Sequence, residues 1–519
     1  MTILRSVVAS ALTIALALGL PVGAAAGPKH SADNATVKNP DDGTEIAITI
    51  FKPAAASRGD VPVVLHSHGW SGSRETEIGG TIESMLDAGF GVVSIDQRGH
   101  GESGGQANVQ DPELETEDVQ AVIDYIARLS WIRLDGPGDP VMGAIGGSYG
   151  GGYQTMTALD EIHETGTTRF NALAPEITWH DLPQSLAPQK VVRTAWNVVL
   201  YAAGSSMVPN YIHESFAWGT ATNHWPDGTL YGQPVPGAPN LDKIFTRHSP
   251  IWYAQRGIQI DVPVLIRQGL TDNLFPLNEA VHNFQDVLTP RARSQSYLLA
   301  HNGGHALPNV LPRGNNPQAE IGGGVDACSP KGNFTKLTIA FFERVFAGKS
   351  TAGLMPTTYN LTTAAGDKCL HLDSLPSGKA VGVDLTGYGP PTIATAGLGA
   401  PVHLPLGDGP LTLAGIPTLS GTVTSVGLDA RAFFGLAVGA TPGDATVIDN
   451  NLMPLRRIMP GQDQKFSIEL AGVSIEIPDG QSLFLTVTPL SDMFFGHGSR
   501  TPGGLVLSGL EVAVPQVGR

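Results

Sequence analysis

The chain has 519 residues, too many for one compact core, so two or three domains are expected. Hydrophobic residues make up 41% and charged residues 15%, which fits a globular, sparsely charged protein. The formal net charge of -16 leaves no lysine–arginine cluster to neutralise phosphates, which argues against nucleic acid as a partner.

The N-terminus reads as an export signal over 1–26. Arg5 supplies the positive region, Val7 to Leu20 the apolar one, and Ala24-Ala25-Ala26 small residues for cleavage before Gly27. The apolar run of about 14 residues is shorter than the roughly 20 that span a bilayer. The expected product is secreted, with no membrane span after cleavage.

Residues 27 to about 43 are polar and irregular. From Glu45 to about Ala347 strand and helix signals alternate, the mark of a mostly parallel sheet with helices on its faces. Strands are predicted at Val61–Leu65, Gly91–Ile95, Val141–Gly147, Pro263–Gln268 and Ser294–Ala300. Helices are predicted at Glu75–Ala88, Glu117–Leu129, after Gly147, and at Asn333–Ala347. Residues 180 to about 255 interrupt the alternation. With Trp196, Trp218, Trp225 and Trp252, and Trp179 just before, this stretch reads as a cap over a site, or as packing of an extra helical layer. Beyond about 356 the strands turn short and alternating, as in Phe466–Leu470 and Val473–Ile477, with a turn at Pro478-Asp-Gly480. The domain plan is therefore 27–355 as an α/β unit with a cap insertion and 356–519 as an all-β, jelly-roll-like sandwich. Cys328 and Cys369 are the only cysteines, an even pair expected to form one disulfide in an exported chain.

Gly146-Gly147-Ser148-Tyr149-Gly150 has the form G-x-S-x-G between a predicted strand and a predicted helix. A hydroxyl is a poor nucleophile until a base takes its proton, and this elbow would lift Ser148 toward one. The turn is tight enough that Gly146 and Gly150 must lack side chains. The base should follow the last major strand, which runs into His301-Asn-Gly-Gly-His305. His305 lies in the loop and is preferred to His301 at the strand end. The acid should follow the strand before, where Leu270-Thr-Asp272 places Asp272. The order Ser148, Asp272, His305 is that of α/β-hydrolases. The amides of Tyr149, after the nucleophile, and Trp70, in the loop His66-Ser-His68-Gly69-Trp70, are the candidate oxyanion donors. Charge pairs in Asp96-Gln-Arg98-Gly-His100-Gly101-Glu102-Ser103 are read as bracing a loop. The pairs His66/His68 and His301/His305 lack a matching carboxylate or cysteine set, so neither metal nor cofactor is expected.

With these residues assembled, the chain resembles the Xaa-Pro dipeptidyl-peptidase and cocaine-esterase family of α/β-hydrolases. The likeness rests on Gly146–Gly150, on Asp96-Gln-Arg-Gly-His-Gly101, and on Ser249-Pro250 with Val262-Pro-Val-Leu and Gly269-Leu-Thr-Asp272. It implies a catalytic unit and helical cap joined to a C-terminal jelly roll. It also implies acyl transfer to water from small esters or from peptides with proline second. Where that family supplies an oxyanion donor from a tyrosine hydroxyl, this loop reads His68-Gly69-Trp70, suggesting a backbone donor. No acidic group is identified that would hold a peptide's free amino end. Three readings stay open: a peptidase, a carboxylesterase or lipase-like enzyme carrying an accessory β domain, and a non-catalytic binding protein on this scaffold. The sequence does not speak to oligomeric state.

Overall fold

Strands β1 (Ser31–Lys38) and β2 (Glu45–Lys52) pair antiparallel at one edge of a large sheet. The computed structural model describes residues 29–518 apart from 55, 58, 308–311, 313, 315–323, 386–391, 395–398 and 497–502, so the expected export signal lies outside the described residues. The sheet continues with β3 (Val63–Ser67), β4 (Gly91–Ile95), β5 (Met142–Gly147), β6 (Ala172–Glu176), β7 (Leu265–Gly269) and β8 (Tyr297–Gly303). It ends with β9 (Tyr359–Thr362) and β10 (Cys369–Leu372). The spatial order is β1-β2-β4-β3-β5-β6-β7-β8-β9-β10. Along this order every pairing from β4 through β9 is parallel, while β2 meets β4, and β9 meets β10, antiparallel; the short strand Gly324–Val325 also pairs antiparallel with the end of β8.

Both faces of this sheet are covered, which is why its central strands are continuous apolar runs. Val63, Leu65, Val93 and Ala144 point to one side, against α2 (Glu115–Ala127) and α3 (Tyr149–Thr165). Val64, Val92 and Ile145 point to the other, against α1 (Gly80–Asp87) and the later helix Phe334–Phe346. The period-two alternation along β3 thus assigns neighbouring residues to different cores. Helix α1 starts five residues later than its pattern suggests. The amides of Arg74 and Glu75 are taken by the side chains of Asp96 (2.6 Å) and Ser94 (2.9 Å), which holds that stretch as loop.

The insertion between β6 and β7 forms a cap of short helices: α4 (Leu182–Leu186), α5 (Thr194–Gly204), α6 (Asn210–Thr222), α7 (Leu241–Arg247) and α8 (Pro250–Ala254). Helix α9 (Leu277–His282) then follows β7. Three differences from the sequence reading stand out. Ser31–Lys38, read as irregular, forms edge strand β1, whose exposed polar side chains hide the pattern. Strand β6 was not anticipated, and β9 and β10 extend the central sheet past residue 356, where the change of character was placed. Strand β9 is four residues long, and its parallel partner β8 lies across a helix, so no local pattern announces it. The all-β region proper begins near Lys379.

That region consists of antiparallel sheets. One orders Lys379–Gly382, Gly504–Val514, Thr418–Val426 and Gly461–Glu469; the other orders Val402–Asp408, Ser482–Thr488 and Ala430–Gly439, with Met453–Arg457 beside the last. They share one core that includes Leu404, Leu419, Phe434, Leu455, Phe466, Leu485 and Val512. Among the described residues no helix is long and apolar enough to cross a membrane. Cys328 and Cys369 form a disulfide that ties the segment before Phe334–Phe346 to edge strand β10.

Candidate active site

Ser148 sits between the end of β5 and the start of α3, with φ 58° and ψ −121°. Such a conformation costs of order 1–3 kcal/mol in a non-glycine residue and persists only where its surroundings enforce it. Here the enforcement is contact between backbones. A Cβ on Gly146 would lie 2.5 Å from Gly150 O and 2.6 Å from Ser67 O; one on Gly150 would lie 2.4 Å from Ser67 O. The elbow therefore nests against the exit of β3, and both glycines are required by that approach.

The same exit carries the loop His68-Gly69-Trp70. A Cβ on Gly69 would stand 3.8 Å from Ser148 Cβ, so this loop runs directly beside the elbow serine. His68 donates from Nδ1 to Gly69 O (2.8 Å) and accepts the Gln97 amide at Nε2 (3.1 Å). Burial lowers its pKa, and the neutral tautomer this pairing needs is thereby favoured. Trp70 opens the turn after Gly69. Its indole donates to Leu200 O (2.9 Å), which fastens the loop to α5. Tyr149 is the first residue of α3, so its amide has no intrahelical acceptor.

Asp272 follows β7 and is fully buried. Its Oδ1 accepts the amides of Leu274 (3.0 Å) and Phe275 (2.7 Å). Its Oδ2 meets Nδ1 of His305 at 2.7 Å. His305 lies in the loop after β8, where Gly304 adopts φ +108° and a Cβ there would strike the Asp272 side chain at 2.8 Å. The imidazole is held edge-on by Phe275 (5.2 Å) and Trp196 (5.7 Å). His301, by contrast, lies on β8. It donates from Nδ1 to Gln268 O (3.0 Å), and burial drops its pKa to about 3, so it serves the sheet as a neutral group.

A cavity of about 180 Å³ opens over Ser148. Trp70, Tyr149, Trp179, Trp225, Phe245 and Phe275 contribute to its wall, with Leu and Val from α4 to α6. Among the described residues that line it, none carries a charge. Of the cap tryptophans, Trp225 lines this space and Trp196 braces His305, whereas Trp252 packs outside against Arg247 and Arg256. The all-β region packs against the apolar cluster behind the cavity, and none of its described residues lines the cavity itself. Phe433, Val447, Leu452 and Phe494 join the cluster that contains Trp179, Trp196 and Phe275, and Asn451 donates to the backbone oxygen of Asp272 (3.1 Å).

Sequence reasoning missed Asn273 and Arg193. Asn273 accepts the Trp196 indole at Oδ1 (2.7 Å) and the Leu307 amide (3.2 Å), and donates to Leu307 O (2.8 Å). Its amide also donates to His305 O (2.9 Å), so one residue ties the backbone at His305 and Leu307 to Trp196 of the cap. Arg193 is buried and donates to Asn273 O (2.6 Å) and Ser185 O (3.0 Å). A lone arginine in the apolar run Val191-Val192-Arg193 was the available signal. The Asp96 loop is braced as expected: Asp96 pairs with Arg74, and Arg98 makes two bonds of 2.7 Å to Asp118. His66 bonds Ser94 Oγ (2.8 Å), and burial takes its pKa down to about 4. One acidic group with metal-ligand spacing occurs among the described residues, Glu117 with Asp160 and Glu164; Asp160 lies about three turns along α3 from the elbow.

The family model for X-Pro dipeptidyl-peptidase (S15 family) matches residues 42–307, just over half of the chain. The chain belongs to this family. Similar solved structures of the α/β-hydrolase fold support the same architecture over nearly the whole length of this S15 chain. A CocE/NonD family hydrolase from Staphylococcus aureus superposes with a TM-score of 0.63 at 14% identity, covering 94% of each chain. An α-amino acid ester hydrolase does so at 0.62 and 15%, covering 98% of this chain and 100% of its own. An aminopeptidase from a marine sediment archaeon, Thaumarchaeota archaeon, gives 0.63 and 13%, covering 94% and 97%. Among curated proteins, Escherichia coli YcjY is 29% identical over 116 residues, which is 22% of this chain and 36% of YcjY. The S15 chain thus spans about a third of the length of the curated relatives it matches.

Proposed function

We propose that this S15-family chain is an exported serine hydrolase that cleaves esters of apolar acyl groups, with Ser148 as nucleophile, His305 as general base and Asp272 as its anchor. Ser148 Oγ attacks the carbonyl carbon while its proton passes to Nε2 of His305. The carbonyl electron pair becomes an oxyanion facing the amides of Tyr149 and Trp70. Collapse of this intermediate breaks the ester C–O bond, and the leaving alcohol takes the proton from His305. Water then attacks the acyl-serine by the same route and releases the acid. Asp272 suits its role because two amides occupy Oδ1 while Oδ2, which also accepts Gln268 Nε2 at 3.4 Å, meets His305 Nδ1 at 2.7 Å, which keeps Nε2 of His305 available to the serine.

The observation that carries the ester reading is the uncharged wall of the cavity over Ser148. A dipeptidyl substrate brings a free ammonium group, and burying it without a carboxylate costs several kcal/mol. An apolar acyl chain brings no such demand. Export is supported by the signal-like sequence of 1–26 and by the Cys328–Cys369 bridge. The test is a panel of chromogenic acyl esters beside Xaa-Pro anilides. Esters of four or more carbons should be turned over and the anilides should not. Ser148→Ala should lower the ester rate by roughly 10⁶, the order found for loss of a triad serine. Preference for the anilides would overturn the ester reading, and an active Ser148→Ala protein would overturn the mechanism.

A further inference from the structure

Helix α5 shows solvent a stripe that the chemistry at Ser148 does not explain. Ala195, Val198, Val199, Ala202 and Ala203 recur at i, i+3, i+4, i+7 and i+8, one continuous face of a helix. Ala195 is half-buried and the other four are exposed, Val198 at 42% and Val199 at 43%. The opposite face is apolar too, with Trp196 buried and Leu200 on the cavity wall. A helix apolar all round is ordinarily buried, and exposed apolar patches mark interaction surfaces. Between Thr194 and Pro226, Glu214 is the only charged side chain, and on neighbouring α6 Ala217 and Ala221 are exposed.

The stripe and the cavity are one surface. Val198 is exposed on the stripe and also lines the cavity over Ser148, as does exposed Thr220 of α6. Helix α5 is fastened in this pose. Trp70 bonds Leu200 O, Gly204 lies against the Trp70 ring, and Tyr201 stacks on Phe216 of α6 at 3.8 Å.

We propose that the α5 stripe docks on aggregated neutral lipid, and that the substrates are long-chain acyl esters entering the cavity past Val198. The inference rests on the ester reading above and names its substrate class. The occupant follows from continuity and charge. A second copy of the chain on the stripe would cover the opening beside Val198 and bar acyl groups from Ser148, whereas a lipid layer is both the surface bound and the source of the chain. Helices that bind anionic membranes carry lysine and arginine on their polar face. Here no lysine or arginine lies between Thr194 and Pro226, and the two histidines are engaged within the cap, His213 with the Tyr201 hydroxyl and His224 with Thr222 O, so an uncharged ester aggregate or zwitterionic layer fits.

Three measurements on the full chain test this: hydrolysis of soluble p-nitrophenyl butyrate, hydrolysis of emulsified triolein, and flotation with phosphatidylcholine vesicles containing triolein. Each is run on wild type and on the double variant Val199→Asp/Ala203→Glu, whose positions lie outside the cavity wall. Flotation is repeated in Ser148→Ala. The wild type should float and act on the emulsion. The double variant should lose roughly tenfold or more of both, because two charges replace the apolar face, and should keep its butyrate rate. Soluble ester hydrolysis without flotation or emulsion activity would overturn the surface assignment alone. Flotation without butyrate hydrolysis would overturn the catalytic reading and leave the surface standing. A dimer in light scattering that the double variant converts to monomer would assign the stripe to a second copy and overturn the proposal.

Discussion

At Gly150 the distance that matters is between two backbones. A Cβ there would come within 2.4 Å of Ser67 O and 2.8 Å of His68 O, and neither atom can swing aside as a side chain would. Gly150→Ala should therefore push the elbow away from the His68-Gly69-Trp70 loop. The expected cost is about 2 kcal/mol or more, read as a lower melting temperature, with a further loss of ester kcat as the two proposed oxyanion donors, the amides of Tyr149 and Trp70, separate. Gly166, at the other end of α3, has open space around it but a φ of +86°, so Gly166→Ala should lower stability without touching kcat. Asn273 makes a second residue-scale test. Its side chain satisfies the Trp196 indole and both backbone groups of Leu307. Asn273→Ala leaves these buried groups unpaired, at roughly 1–3 kcal/mol. It should lower kcat more than it raises KM, because the imidazole of His305 loses its bearing while the cavity wall is unchanged.

Among the elements, the segment from Cys328 to β10 shows what a covalent tie adds. Strand β10 is a four-residue edge strand with exposed and half-buried side chains, too little to hold itself by packing. The bridge to Cys328, 41 residues away, restricts the unfolded chain by roughly 3–4 kcal/mol on the chain-entropy model. Cys328→Ser with Cys369→Ser should lower the unfolding free energy by that order, read from denaturant titration against wild type in oxidising buffer. This scale also shows what a sequence can disclose. The elbow Gly146–Gly150 was legible because strand, turn and helix adjoin in the chain, and the strands before Asp272 and His305 were legible as apolar runs. Strand β9 was not, because a parallel strand is defined by a partner across a helix. Nor was the Asn273 clamp, whose partners Trp196 and Arg193 lie 77 and 80 residues back in the cap. Periodicity reports which face is buried and is silent on what it is buried against.

Over the whole molecule, the all-β region is joined to the α/β unit through polar contacts as well as the shared apolar cluster. Asn278 of α9 donates to Leu470 O (3.0 Å) and accepts the Gly472 amide (2.8 Å). His282, one turn on, pairs with Glu469 at 3.0 Å, and that hydrogen bond raises its pKa to about 9 from the ordinary 6.5. Glu279, Asp286 and His180 also face this imidazole. A histidine whose folded pKa is raised contributes stability in full below 6.5 and loses it as pH rises through about 9. Wild type should therefore melt higher than His282→Gln at pH 6, and the gap should close between about pH 7 and 10. A gap that stays constant across that range would show that the pair does not bind the two regions.

The central claim is that Ser148 is a nucleophile made reactive by His305. A fluorophosphonate probe with peptide mapping tests it most directly, since the probe phosphonylates an activated serine and reports the residue by mass. The account predicts stoichiometric labelling of Ser148 in wild type, none in Ser148→Ala, and labelling slowed by about a thousandfold or more in His305→Ala. Labelling at another serine, or equal rates in wild type and His305→Ala, would contradict it.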